Sequence, residues 1–279
     1  MKLGLGTAQF GLNYGISNDS NIVATDEIEK ILHSCIDRNL RYIDTAQSYG
    51  DAEKKIGIHP LFNFKVITKI QRHEDVSHVR PSVIQSINNL NIEVIYGVMI
   101  HDFEYFMENQ GVLQELIGLQ KDGFIEKIGF SLYHTAQLTY LLENNINFDF
   151  IQLPYNVFDR RFEVYFDKLK TLKKEIHVRS IFLQGLFFMD TSKLSAHFNC
   201  VKELLNRLKK DVKKRNISMQ SACLRFASEN ENIDSIIVGV TSNNELLENL
   251  NCLNDVGDIS FLDKFQVNDE TILLPFNWK

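Results

Sequence analysis

Cysteine is scarce and scattered: Cys35, Cys200, Cys223 and Cys252 lie far apart, with no C-x-x-C pair among them. That spacing argues against a disulfide framework or a metal site, and in a reducing cytoplasm each residue, falling in a stretch that reads as helix, serves as a small apolar side chain. Only four of the 279 residues are proline and 14 are glycine, which excludes a fibrous or disordered chain. Positive charge is not in excess: 30 Lys and Arg against 36 Asp and Glu leave −6, so nothing draws the chain as a whole toward nucleic acid or anionic membrane. No apolar run, Val94–Ile100 included, approaches the length needed to cross a bilayer. The opening MKLGLGTAQFG has one Lys and no long apolar stretch, unlike a secretory signal, so a cytoplasmic location is expected. His33, His59, His73, His78, His134, His177 and His197 form no H-x-x-x-H or His-carboxylate pattern, so no metal site is expected. A Pro/Ser-rich linker that would split the chain is missing too, and the lysine-rich piece Lys209–Arg215 reads as a solvated helix face.

What the sequence has in abundance is alternation. Short apolar runs near Leu3–Gly6, Tyr42–Asp44, Lys65–Thr68, Val94–Ile100, Lys127–Phe130, Phe150–Leu153, His177–Ile181 and Ser235–Val240 suit strands covered on both faces. Between them lie helical patterns over Asp26–Asn39, with Thr25 as its cap, and over Val79–Leu90, Val112–Lys121, Thr135–Glu143, Arg161–Lys173 and Asn243–Leu250. His134-Thr135 and Ser242-Asn243 read as helix starts, and Val201–Arg215 with Met219–Ser228 add extra helices to the seventh connection. Eight such units, at roughly 35 residues each, predict a single-domain (β/α)8 TIM barrel over residues 1–279. A doubly wound sheet is the rival, but Gly4, Gly6, Gly11 and Gly15 do not give the G-x-G-x-x-G spacing after the first strand.

In a barrel the chemistry sits at the C-terminal ends of the strands. The second strand closes on Asp44 and Tyr49 follows five residues later; the third closes on Lys69 and the fourth on His101. Any one of these can be an unrelated rim residue. Three consecutive strands delivering Asp, Lys and His to one rim, with a Tyr beside the first, are harder to dismiss. At this point the chain resembles the aldo-keto reductase superfamily, through Gly4-Leu5-Gly6-Thr7-Ala8-Gln9-Phe10-Gly11, Ile43-Asp44-Thr45-Ala46 with Tyr49-Gly50 and Glu53, and Thr68-Lys69. Ile128-Gly129-Phe130-Ser131, Gln152-Leu153-Pro154-Tyr155-Asn156, Val238-Gly239 and Glu248-Asn249-Leu250 continue the likeness over essentially the whole chain. The resemblance implies a barrel that binds NADP(H) or NAD(H) in an extended form without a Rossmann domain. It begins at the first barrel strand, so the family's N-terminal hairpin is expected to be short or absent.

The chemistry of carbonyl reduction matches these residue types. Hydride arriving at carbon leaves negative charge on oxygen, so the site needs a proton donor and polar stabilisation. A phenol of ordinary pKa, about 10, holds its proton at neutral pH, and a nearby ammonium makes that proton easier to give. Tyr49 is then the acid, Lys69 the ammonium, Asp44 the group that holds Lys69 charged, and His101 a hydrogen-bond donor to the carbonyl oxygen.

The resemblance implies that Ser131 and Gln152 hold the nicotinamide carboxamide, although Leu132 stands where the family usually has Asn. Arg179 can stack on a ring, meet the pyrophosphate, or make a structural salt bridge. Ser180, Phe182, Gln184 and Gly185 are expected to line the pyrophosphate. Gly239 and Thr241 lead into a helix whose free amides suit a phosphate. Glu248 and Asn249 match the pair that contacts adenine. Members that prefer NADPH carry Lys or Arg here; this stretch has none, and Glu245 would repel a 2′-phosphate, so weak discrimination for NADP is expected, with NADH open as an alternative cofactor. Tyr14, Phe103, Tyr133 and Phe158 are candidate aromatic walls for the substrate, and Asn13, Gln47, Asp102 and Arg160 are candidate polar contacts that lean toward a hydroxylated, sugar-like carbonyl. The leading expectation is reduction of a small-molecule aldehyde or ketone. The alternatives are a dehydrogenase working mainly in the oxidative direction, a cofactor-sensing regulatory subunit and a non-catalytic barrel.

Overall fold

The computed structural model describes residues 2–13 and 22–278. Strands β1 (Leu3–Gly6), β2 (Tyr42–Asp44), β3 (Lys65–Ile70), β4 (Ile95–Ile100), β5 (Ile125–Ser131), β6 (Phe150–Pro154), β7 (Glu175–Arg179) and β8 (Ser235–Gly239) all run parallel and close into a barrel in sequence order. The closing seam pairs Leu3 with Ile236 and Gly6 with Gly239. The helices are α1 (Ala8–Gly11), α2 (Thr25–Asp37), α3 (Ala52–Gly57), α4 (Val79–Leu90), α5 (Phe103–Glu108), α6 (Gly111–Lys121), α7 (Thr135–Glu143), α8 (Phe166–Thr171), α9 (Asn199–Lys214), α10 (Met219–Ser228), α11 (Asn243–Cys252) and α12 (Glu270–Leu273). The expected (β/α)8 barrel is the observed one. Among the described residues no helix is long and apolar enough to cross a membrane.

The outward strand residues and the inward helix faces form one apolar layer: Val66, Val98, Ile100, Ile128 and Ile151 meet Ile31, Val83, Leu116 and Leu141. Inside the barrel, Ile67, Met99 and Phe150 pack with Tyr96 as a smaller core. Ser242 caps α11 by accepting from the Glu245 amide, and His134 and Gln137 form the capping box of α7, so both helix starts stand where the sequence places them.

Four local expectations differ. Strand β7 ends at Arg179 rather than Ile181, because Ser180 turns to a φ of 60° and leaves the sheet. Thr25 is the first residue of α2 rather than its cap; Ala24 holds that position. The pattern over Arg161–Lys173 yields only a short 3-10 turn at Glu163–Tyr165 followed by α8, because Arg161 turns back to bind Asp159. Helix α5, started by Asp102 accepting from the Glu104 and Tyr105 amides, has no counterpart in the sequence reading, since six residues are too few to show a period.

The N-terminal floor of the barrel is charged rather than apolar. Tyr96 donates to Glu175 Oε1 at 2.8 Å, Lys127 pairs with the same carboxylate, and His177 Nε2 lies 3.3 Å from Oε2. Lys65 covers the Tyr96 ring at 4.5 Å. Burial pushes the Glu175 carboxyl up, but the hydrogen bonds from His177, Lys127 and Tyr96 outweigh it and hold the pKa at about 2. A depressed carboxylate stabilises the fold above its unfolded pKa and loses that contribution as pH falls toward the folded value. Glu175→Gln should therefore cost about 2–4 kcal/mol at neutral pH, and its deficit against the parent should shrink between pH 4.5 and 2. Urea unfolding across that range measures it; a deficit independent of pH would contradict the network.

Candidate active site

The four rim residues meet. Asp44 ends β2, Lys69 lies near the end of β3 and His101 follows β4 directly. Lys69 is 1% exposed, and its Nζ donates to Asp44 Oδ1 at 2.5 Å, to the Thr45 carbonyl at 2.7 Å and to the Tyr49 hydroxyl at 3.4 Å. The other Asp44 oxygen accepts from Gln152 Nε2 at 2.7 Å. Burial alone would lower the Lys69 pKa; the Asp44 carboxylate, with the hydrogen bonds to Asp44 and Tyr49, reverses this and raises it, so Lys69 stays an ammonium. The His101 ring stands edge-on to Tyr49 with centroids 6.2 Å apart. Burial, then the charges of Lys69 and Arg179, push His101 down to about 3, so at neutral pH its imidazole is uncharged and can donate from only one nitrogen.

The loop that carries Tyr49 is held by backbone contact. A methyl at Gly11 would sit 1.7 Å from the Tyr49 carbonyl oxygen, and Gly50, at a φ of 58°, lies against the Gly11 carbonyl. Only glycine allows both approaches. Behind this loop, Glu53 on α3 accepts from the Thr68 hydroxyl at 2.7 Å and from Asn89 at 3.2 Å, tying α3 to the strand that presents Lys69.

A cavity of about 640 Å³ opens above these residues. Asp44, Tyr49, Lys69 and His101 line it, together with Ser131, Gln152, Arg179, Ser180, Phe182, Gln184, Gly185, Gly239, Thr241, Glu248 and Asn249, all singled out from the sequence, and Tyr133 from the substrate set. The remaining substrate candidates lie elsewhere or do other work. Gln47 is held by Ser86 and the Gln71 amide. Asp102 caps α5 and faces Arg72. Phe103 packs on Phe106, Phe130 and Tyr140, and Phe158 on Phe187, both within the core. Arg160 pairs with Glu163 and Asp263, and Asn13 is exposed outside the cavity lining. Tyr14 lies outside the described residues.

Residues that the sequence reading missed also line the cavity, among them Thr7, Gln9, Ile181, Phe188 and Gln220. Thr7 and Gln9 could have been found, because they follow β1 and every strand-to-helix loop of a barrel opens on this face. Gln220 sits on α10 in the extra connection, where no pattern signals it. Arg179 makes no salt bridge among the described residues: its guanidinium lies 4.1 Å over the Tyr133 ring and donates to the Leu132 carbonyl at 3.1 Å. Glu245 is not free either, since its Oε2 accepts from the Thr241 amide at 2.8 Å and the Thr241 hydroxyl at 3.0 Å. Glu27 of α2 accepts from the Asn243 amide at 2.7 Å. Two carboxylates therefore already occupy amides at the start of α11.

The donor set suits a long polar ligand. Gln9 Oε1 and Asn249 Nδ2 are buried without a partner, and both side chains line the cavity. Gln184 and Gly185 turn through left-handed backbone beside it. At Gly239 a β-carbon would collide with the Gln9 amide, so backbone forms the wall there. These donors fit the group the resemblance implies, a nicotinamide dinucleotide. Among the described residues no group of three or more His, Cys, Asp and Glu is placed to hold a metal ion.

The Aldo/keto reductase family model matches residues 2–266. No curated protein sequence matches the chain at a significant level. Solved structures similar to it include a prospective aldo-keto reductase from Pseudomonas aeruginosa (21% identity, 90% of this chain and 88% of that one, TM-score 0.68). Two more are aldo-keto reductase AKR11C1 from Bacillus halodurans in a holo form (15%, 95% and 90%, TM-score 0.75) and an aldo-keto reductase from a deep-sea metagenome library (18%, 95% and 89%, TM-score 0.68). At these identities the likeness is one of fold.

Proposed function

The chain belongs to the aldo/keto reductase family, a family of oxidoreductases, and from that premise we propose that it reduces an aldehyde or ketone to an alcohol with NADH or NADPH, taking the proton from Tyr49. The observation that carries this is the buried Lys69 ammonium, which touches both Asp44 and the Tyr49 hydroxyl inside one cavity. The bound dihydronicotinamide supplies the hydride. Ser131 and Gln152 would fix the carboxamide, and loop atoms of Gln184 and Gly185 would face the phosphates. The substrate oxygen sits between Tyr49 and His101, where the neutral imidazole donates a hydrogen bond and draws charge toward oxygen. Tyr49 gives its proton as the C–O bond becomes single, Lys69 stabilises the phenolate left behind, and solvent returns the proton. Asp44 and Gln152 keep Lys69 aimed at the phenol. In the oxidative direction the same phenolate is the base, so the site serves both directions.

The far end of the cavity supports NADH. A 2′-phosphate there would face Glu245 and Glu27, at a helix start whose Thr241 and Asn243 amides are already taken. Turnover with NADH should equal or exceed that with NADPH when kcat/KM is compared for one aldehyde, and a hundredfold preference for NADPH would contradict this. Replacing Tyr49 with Phe, or Lys69 with Met, should lower kcat by about 10²–10⁴ while dinucleotide binding, followed by fluorescence, changes little. Near-normal turnover in Tyr49→Phe would remove it as the acid. Dinucleotide binding by the parent with no turnover of any carbonyl would favour a sensing role.

A further inference from the structure

Arg179 is the one cavity-lining cation left without a carboxylate among the described residues. Lys69 is neutralised by Asp44, whereas Arg179 contacts only neutral groups: the Leu132 carbonyl at 3.1 Å, the Ser180 hydroxyl at 3.4 Å and the Tyr133 ring at 4.1 Å. The acidic side chains on the cavity wall are Asp44, Glu245 and Glu248, of which the first is paired with Lys69 and the second is bound to Thr241. A guanidinium held in place by a ring and a carbonyl, open to a cavity and lacking a counter-charge, is arranged to receive an anion.

The direction in which it leans decides which anion. β7 lies between β6 and β8 in the barrel, and the loop atoms of Gln184 and Gly185 that the reductase reading assigns to the phosphates lie on the β7–β8 side. The Arg179 guanidinium keeps one edge near the Ser180 hydroxyl and reaches with the other past β6 to the residues that follow β5. There it is close enough to His101 for its charge to help hold that imidazole neutral. Tyr133 keeps it there, pinned on a second edge by Phe276 with ring centroids 5.3 Å apart. The positive charge thus extends toward the hydrogen-bond donor for the carbonyl oxygen.

We propose that the substrate is an anionic carbonyl compound, an aldehyde or ketone that also bears a carboxylate or phosphate, and that Arg179 binds the anionic group while Tyr49 and His101 take the carbonyl oxygen. This rests on the reductase reading above. It narrows the substrate class from carbonyl compounds in general to those whose charge complements the catalytic end of the cavity. Charge-assisted contacts in a part-buried site of this kind discriminate by about ten- to a hundredfold. A pyrophosphate would offer Arg179 the same chemistry, so the test separates the two sources.

Succinic semialdehyde and butanal form a pair that differs in the carboxylate. The parent enzyme should show kcat/KM at least tenfold higher for succinic semialdehyde. Arg179→Gln should abolish that preference mainly through a raised KM for succinic semialdehyde, with the Kd for NADH within about threefold of the parent, and Arg179→Lys should restore part of it. Equal kcat/KM for the two aldehydes in the parent would overturn the proposal. So would an Arg179→Gln variant that loses NADH affinity and both activities alike, because that result assigns the cation to the pyrophosphate. Calorimetric titration of the protein–NAD⁺ complex with succinate, and with butyramide as the uncharged control, reads the anion site without turnover. Succinate should bind the parent and not Arg179→Gln, and no binding to the parent would overturn the proposal. Arg179-dependent succinate binding with neither aldehyde reduced would keep the anion site and discard the reductase reading.

Discussion

The ammonium of Lys69 is buried where water cannot solvate it, and it remains charged because Asp44 lies 2.5 Å away and the Thr45 carbonyl 2.7 Å away. Burying a charge costs several kcal/mol unless a partner and hydrogen bonds offset it, and removing one partner of such a pair leaves the other stranded. Much of the surrounding structure serves that constraint. Gln152 satisfies the second Asp44 oxygen, Glu53 ties α3 to β3 through Thr68, and the Gly11–Gly50 backbone contact brings the Tyr49 hydroxyl within reach of the same ammonium. The pair is stable because the barrel is rigid, and the barrel presents chemistry because three neighbouring strands end at one level.

Charge is also distributed along the axis and the cavity. The floor carries Lys65, Lys127, Glu175 and His177 in a network that closes the barrel with polar groups. The rim holds the Asp44–Lys69 pair with Arg179 beside it, and the far wall of the cavity carries Glu245 and Glu248. A ligand entering this site meets a positive end at the catalytic group and a negative end at α11. That polarity underlies both the proposed use of NADH and the proposed anionic substrate.

Much of this was readable from the chain because strand ends are. Asp44, Lys69 and His101 each close a short apolar run, and eight such runs with helical spacers define the barrel and hence the face on which those residues emerge. Gly239 closes β8 and Thr241 follows it, so both were legible for the same reason, whereas Glu248 and Asn249 on α11 were reached only through the family resemblance. The substrate candidates, Tyr133 apart, were not. Phe103 and Phe158 turn into the apolar layer, and Asp102 and Gln47 turn to neighbouring backbone, because residue type does not say which way a loop side chain faces. The floor network was invisible since its members come from β3, β4, β5 and β7, and only register brings them together. The seat of Arg179 on Tyr133 depends on Ser180 leaving the strand at a positive φ, which a serine in an apolar run does not announce.

The central claim is that Tyr49 is the proton donor beside a His101 held neutral by burial and by two nearby cations. The pH dependence of kcat/KM for carbonyl reduction tests this most directly. A His101 pKa of about 3 predicts a profile that is flat from pH 5 to neutrality and falls only on the alkaline side, where Tyr49 loses its proton. In Lys69→Met that alkaline fall should move to higher pH, since the phenolate has lost its cation. An acid limb near the ordinary imidazole pKa of about 6.5, or an alkaline limb that ignores Lys69, would contradict the account.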